Sequence, residues 1–165
     1  MLWRTHFLAG ATAGLLVASP GNIESAVATA AVSGFAALLP DIDSPYSKLG
    51  RVVPVLPRLL SLTVGHRGIL HSFLGAAIVS LLATMFLRVW YGQEFWLLLS
   101  QVMAGYISHI LLDCLTDSGC PLLYPLPGRY CLPLLNTGSF AEKLIFFPAL
   151  FVLFAWSFAG FAGVV

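Results

Sequence analysis

Charge is what this chain has least of. Only 9% of its 165 residues are Asp, Glu, Lys or Arg, against roughly 25% in ordinary soluble domains. Eight basic and seven acidic residues leave a formal charge of +1. So small an excess excludes the basic field through which proteins neutralise phosphate backbones, and nucleic acid is not expected as a partner. Cysteine is scarce as well. Cys114, Cys120 and Cys131 are odd in number and have no Cys-x-x-Cys spacing, which excludes a full disulfide framework and a thiolate zinc site and leaves ordinary reduced thiols. Internal repeats and low-complexity linkers are missing, so residues 1–165 read as a single domain.

What fills the sequence instead is apolar. At 59% hydrophobic residues and a mean hydropathy of +0.92, the chain reads as an all-α, polytopic membrane helical bundle. Five apolar segments stand out, at about 5–19, 24–39, 70–90, 95–113 and 143–163. The last three approach the roughly 20 residues needed to cross a hydrocarbon core of about 30 Å. The first two are shorter and rich in Ala, Gly and Ser, which suits a close-packed pair that tilts or thins the bilayer. Pro20-Gly21-Asn22 marks the turn between them. Arg4 ahead of a short apolar stretch admits a signal peptide, but Leu16-Val17-Ala18 fits a small-x-small cleavage site poorly, so the segment is read as a helix.

Lys48, Arg51, Arg58 and Arg67 place half of the basic residues between the second and third segments. The positive-inside rule puts that loop in the cytoplasm, together with Arg4 at the N-terminus and the loop from 114 to 142. Threaded this way, seven potential metal ligands converge on the cytoplasmic face. His6 opens the first segment, Asp41 and Asp43 follow the second, His66 and His71 open the third, and His109 and Asp113 close the fourth.

Each group has its own geometry. His109 and Asp113 are an i, i+4 pair that project from one helix face. Ionisable groups cost roughly 2.5–3.5 kcal/mol at the centre of a membrane helix and less near its end, and function is the usual reason for keeping them. Asp41 and Asp43, bracketed by Pro40 and Pro45, would share one side of an extended backbone, one bridging two cations while the other binds one. In Gly65-His66-Arg67-Gly68-Ile69-Leu70-His71-Ser72 the glycines permit a tight turn. His71 and Ser72 are expected in the first turn of the third helix, where free N–H groups favour an anion, and Arg67 supplies a planar fork for phosphate oxygens. Glu142, just before the fifth segment, reads equally as a further ligand or acid/base group and as an ordinary helix-start residue.

Nitrogen and oxygen donors without thiolate suit Zn²⁺, Mn²⁺ or Fe²⁺. Seven ligands exceed the four of a structural zinc site and would serve two ions with open water positions.

The blocks Leu38-Leu39-Pro40-Asp41-Ile42-Asp43, Gly65-His66-Arg67-Gly68 with His71-Ser72, and Gly105-Tyr106-Ile107-Ser108-His109-Ile110-Leu111-Leu112-Asp113 with Thr116 resemble the hallmark motifs of the YdjM-type family of LexA-binding, inner-membrane-associated, metal-dependent hydrolases. The likeness extends through Pro121-Leu122-Leu123-Tyr124-Pro125. It implies a bacterial inner-membrane protein and a hydrolase. A remoter similarity, in ligand order alone, is to zinc-dependent phospholipase C and the single-strand nucleases, which His6, Asp41, His66, His109 and Asp113 fit. The later His-x-x-x-Asp/Glu pair of those enzymes is absent.

The leading expectation is a membrane hydrolase cleaving a phosphoester, lipid-linked or not, with metal-activated water. In it Asp41 or Asp43 orients the water or takes its proton, and Arg67 offsets phosphoryl charge. Two other classes compete. A transporter or metal carrier using His109 and Asp113 calls for ligands spread through the membrane's depth, and a scaffold with a structural metal calls for a closed coordination sphere.

Overall fold

Small residues on the first two helices decide how closely the bundle packs. The computed structural model describes residues 1–52 and 68–164. Among them, helices α1 (Trp3–Val17) and α2 (Ile23–Ala36) form an antiparallel pair. A short helix α3 (Lys48–Val52) follows, then α4 (Phe73–Tyr91), α5 (Phe95–Cys114) and α6 (Phe147–Phe161). All but α3 correspond to the five apolar segments of the sequence, with ends moved by a few residues. No strand occurs among the described residues, only an isolated antiparallel bridge between Cys120 and Tyr130.

Gly10 and Gly14 lie one helical turn apart on α1, and a Cβ on either would overlap Ser33 of α2. A Cβ on Gly105 of α5 would overlap the carbonyl of the same Ser33. Three helix backbones therefore meet at one residue, a closeness that membrane helices reach only through small side chains. One turn along, Gln101 of α5 donates to Thr29 Oγ1 of α2 at 3.0 Å, a polar tie across the same contact. The α2 start is capped reciprocally: Ser25 N–H donates to Asn22 Oδ1 and Asn22 N–H to Ser25 Oγ.

Four stretches among the described residues are long and apolar enough to cross a membrane: Ile23–Asp43, Phe73–Trp90, Phe95–Cys114 and Glu142–Phe161. α1, with 15 residues, is only about 22 Å long. It packs against α2, α5 and α6, and nine of its residues are buried, so its neighbours rather than lipid surround most of it. The outer faces are apolar, with Phe86 and Trp90 on α4, Trp96 on α5, and Phe151 and Trp156 on α6 exposed. Such a surface is stable in hydrocarbon and aggregation-prone in water.

Glu142 answers the choice left open by its position. It is fully buried in a π-helical turn (Glu142–Phe146) before α6. Its Oε1 accepts from Leu2 N–H at 2.7 Å and Thr5 Oγ1 at 2.8 Å, and its Oε2 from Gly138 N–H at 2.6 Å. The carboxylate thus ties the start of α1 to the start of the last helix. Leaving three donors without an acceptor costs about 1–3 kcal/mol each before relaxation. Glu142→Ala is therefore expected to lower stability by about 3 kcal/mol or more, read as a fall in the thermal unfolding midpoint in detergent.

None of the three cysteines is in a disulfide. The segment after α5 folds back on it. Leu132 N–H donates to Cys114 O, and the N–H groups of Leu134 and Leu135 donate to Leu115 O.

Candidate metal centre

α1 and α4 begin, and α2 and α5 finish, at the same end of the bundle. Their alternating directions bring His6, Asp41, Asp43, His71, His109 and Asp113 together there. His66 and Arg67 lie outside the described residues. His6, His71, His109, Asp43 and Asp113 are essentially inaccessible, whereas the Asp41 side chain is 26% exposed.

Two local expectations are corrected. Residues Pro40–Asp43 form a 3-10 turn, not an extended segment. With about three residues per turn, residues two apart diverge, so Asp41 and Asp43 do not share a side. Asp41 Oδ1 lies 3.9 Å from His109 Nε2, while Asp43 Oδ2 lies 3.6 Å from His71 Nδ1. Likewise His71 does not lie in the first turn of α4. It closes a 3-10 turn, Ile69–His71, and Ser72 is the N-cap of α4, its Oγ accepting from Gly75 N–H at 3.1 Å. The hydroxyl of Tyr106 on α5 donates to Leu70 O at 2.8 Å and so pins that turn beside the cluster.

Asp113 is the hub. Its Oδ1 lies 3.1 Å from the Met1 amine and 3.3 Å from His6 Nε2; its Oδ2 lies 3.7 Å from both His71 Nε2 and His109 Nε2. The His6 and His109 rings stack with centroids 3.9 Å apart, and His71 meets His109 edge-on at 5.3 Å.

The tautomer of His109 is decided by its neighbour. Nδ1 is 2.7 Å from Ala37 O, a carbonyl that can only accept, so Nδ1 carries the proton and donates. In the neutral ring Nε2 then presents a lone pair. That nitrogen is buried without a hydrogen-bond partner among the described residues, and it faces carboxylate oxygens of Asp41 and Asp113 at 3.9 and 3.7 Å. Two acceptors have no proton to share, and these separations also exceed the roughly 2.7–3.2 Å of a hydrogen bond. Donors on a tetrahedral ion at about 2.0–2.1 Å lie about 3.3–3.4 Å apart, so a contraction of a few tenths of an ångström around a cation reconciles them.

Two triads have donor atoms mutually within 4.8 Å: His6, His109 and Asp113, and Asp41, His71 and His109. Because Nδ1 of His109 is committed to Ala37, a single Nε2 is common to both. Nothing in the sequence marked the Ala37 carbonyl or the Met1 amine. Sequence reasoning also left Lys48 and Arg51 as topology signals, although the structure sets both beside Asp41 in an open cleft. Their i, i+3 spacing shortly after Asp43 was the available clue.

The profile of the YdjM inner membrane protein family matches residues 1–164. The chain belongs to this family. It is 42% identical over 126 residues to inner membrane protein YdjM of Escherichia coli (strain K12) and, to the same extent, to that of Shigella flexneri. Each alignment covers 73% of this chain and 60% of the relative, so the chain spans less than two thirds of those proteins. It is also 33% identical over 146 residues to uncharacterized protein YvsG of Bacillus subtilis (strain 168), covering 88% of this chain and 87% of that one. No solved structure matches the chain. Family membership and four apolar stretches of spanning length agree on an inner-membrane protein.

Proposed function

We propose that this family member is a metal-dependent hydrolase that cleaves a phosphoester at the cytoplasmic face of the bacterial inner membrane. The observation that carries the reading is the lone pair of His109 Nε2, buried and directed at the carboxylates of Asp41 and Asp113. A cation held between them makes such a meeting of acceptors favourable. Asp41, His71, His109 and Asp113 would hold the principal ion. His6, on the other oxygen of Asp113, offers a second and weaker position. The donor set suits Zn²⁺, with Mn²⁺ or Fe²⁺ as the other fits.

Asp43 acts as a positioning residue, since its carboxylate faces the far nitrogen of His71, the usual place for the outer partner of a metal-bound imidazole. When bound, an ion held by these residues would supply Lewis-acid polarisation of a phosphoryl oxygen and lower the pKa of a nearby water. Asp41, the one partly exposed member, is placed to take the proton from that water. Arg67, outside the described residues, is retained on sequence grounds as the group that offsets phosphoryl charge. Collection of the donors at one end of the helices favours surface chemistry over a path through the bilayer. The cytoplasmic assignment rests on the Lys/Arg bias of the 40–69 loop.

Metal analysis of the purified protein tests the reading. One tightly held divalent ion per chain is expected, with a second lost on dialysis, together with turnover of model phosphoesters that chelation abolishes. Asp43→Asn should weaken metal affinity by about 10–100-fold, whereas His109→Ala should remove the tightly held ion. Metal-free wild-type protein would sink the proposal.

A further inference from the structure

Above Asp41 the surface opens into a cleft of about 240 Å³ whose walls include Trp3, Tyr46, Ser47, Lys48 and Arg51. That is room for about eight waters at roughly 30 Å³ each, and so for a phosphate group with part of its ester. Lys48 and Arg51 both come from α3 and lie three residues apart, hence on one face. Neither has an ion-pair partner among the described residues. The Lys48 ammonium sits 5.6 Å from the centroid of the Trp3 ring, which holds it at the rim without neutralising it. Ser47 Oγ accepts from Gly50 N–H at 2.8 Å, fixing the start of α3. The floor of the cleft is Asp41, the member of the metal-ligand group that solvent reaches.

We propose that this cleft is a phosphate-binding site in which Lys48 and Arg51 grip the anionic oxygens of a substrate and deliver them over Asp41. The inference deepens the hydrolase reading and rests on it for its catalytic meaning. Two cations converge where an anion would have to enter, and the guanidinium of Arg51 can make two parallel bonds to one phosphate. Free phosphate esters and lipid headgroups share this recognition chemistry.

Inorganic phosphate titrated against the detergent-solubilised full chain by calorimetry, with metal content measured on the same samples, is the test. Lys48→Gln and Arg51→Gln should each weaken phosphate binding about tenfold or more while the metal content stays at the wild-type level. Arg51→Lys, which keeps the charge and loses the planar fork, should fall between. A parallel titration with short-chain phosphatidic acid in the same micelles separates the sources. Loss of both ligands in the variants marks a site for the phosphate group itself, and loss of the lipid alone marks a headgroup site. Phosphate and phosphatidic acid binding that are absent from wild type, or unchanged in the variants, would overturn the proposal. Wild-type protein without metal that still binds phosphate through Lys48 and Arg51 would uphold the cleft and remove the hydrolase reading.

Discussion

Asparagine at position 113 is expected to empty the candidate metal centre without unfolding the bundle. The Asp113 side chain stands between the Met1 amine and His6 on one oxygen and His71 and His109 on the other, at 3.1–3.7 Å. Asn has nearly the same shape, so packing at the end of α5 survives. What changes is that one oxygen becomes an NH₂ donor and the negative charge disappears. Whichever way the amide turns, one side of the hub loses its ligand. Removing a mere outer partner of a metal ligand costs about 10–100-fold in affinity, and loss of a central carboxylate should exceed the upper figure. Phosphoester turnover should drop to background with it.

A second readout separates metal loss from misfolding. A ligand present at a thousand times its Kd stabilises the folded state by about 4 kcal/mol. Chelation should therefore lower the unfolding midpoint of the wild type and leave that of Asp113→Asn unmoved. Asp117→Asn, at an exposed carboxylate just beyond α5, should behave as wild type. An Asp113→Asn protein with full metal content would remove Asp113 from the centre.

The other large effect is mechanical and lies one helical turn below His109. Gly105→Ala puts a methyl group into the Ser33 carbonyl and within 3.1 Å of the Ala36 Cβ. Both obstacles belong to α2, and one is backbone, so relief requires α2 and α5 to separate. Overpacking of this kind typically costs about 1–3 kcal/mol and occasionally more. The same separation strains the 2.7 Å bond from His109 Nδ1 to Ala37 O, four residues beyond Ser33 at the C-cap of α2. Metal affinity should fall along with stability, although Gly105 touches no ligand. Gly160→Ala on α6, where nothing lies within 4 Å of the new methyl group, should be neutral or mildly stabilising, because alanine favours helix by up to about 1 kcal/mol. Thermal unfolding in one detergent, with metal content measured alongside, distinguishes the two glycines. Equal behaviour would mean that the helices do not meet at Ser33 as closely as described.

Hydropathy made the five helices legible because each needs a long apolar run and a polar or Gly/Pro break, and both are local properties. The gathering of His6, Asp41, Asp43, His71, His109 and Asp113 was legible for a related reason: antiparallel threading sends alternate helix ends to the same side. The short turns were not. Pro40–Asp43 and Ile69–His71 adopt 3-10 geometry, and nothing in their residue types distinguishes that from an extended segment or a first α-helical turn. Glu142 was ambiguous for a similar reason. A carboxylate at a helix start looks the same whether it faces a cation or three backbone and hydroxyl donors, and only the approach of Leu2, Thr5 and Gly138 decides.

By itself, then, the sequence determined a membrane-embedded helical bundle with its chemistry-bearing side chains at one end, because burial in lipid and chain direction follow from the order of apolar and polar residues. Tertiary structure alone decided which nitrogen of His109 carries a proton, that Asp113 is the hub, that Asp41 and Asp43 address different histidines, and that Lys48 and Arg51 flank the opening. Each of these depends on contacts between residues far apart in the chain, and at the bundle's centre Gly10, Gly14 and Gly105 let the backbones of α1 and α5 approach Ser33 of α2.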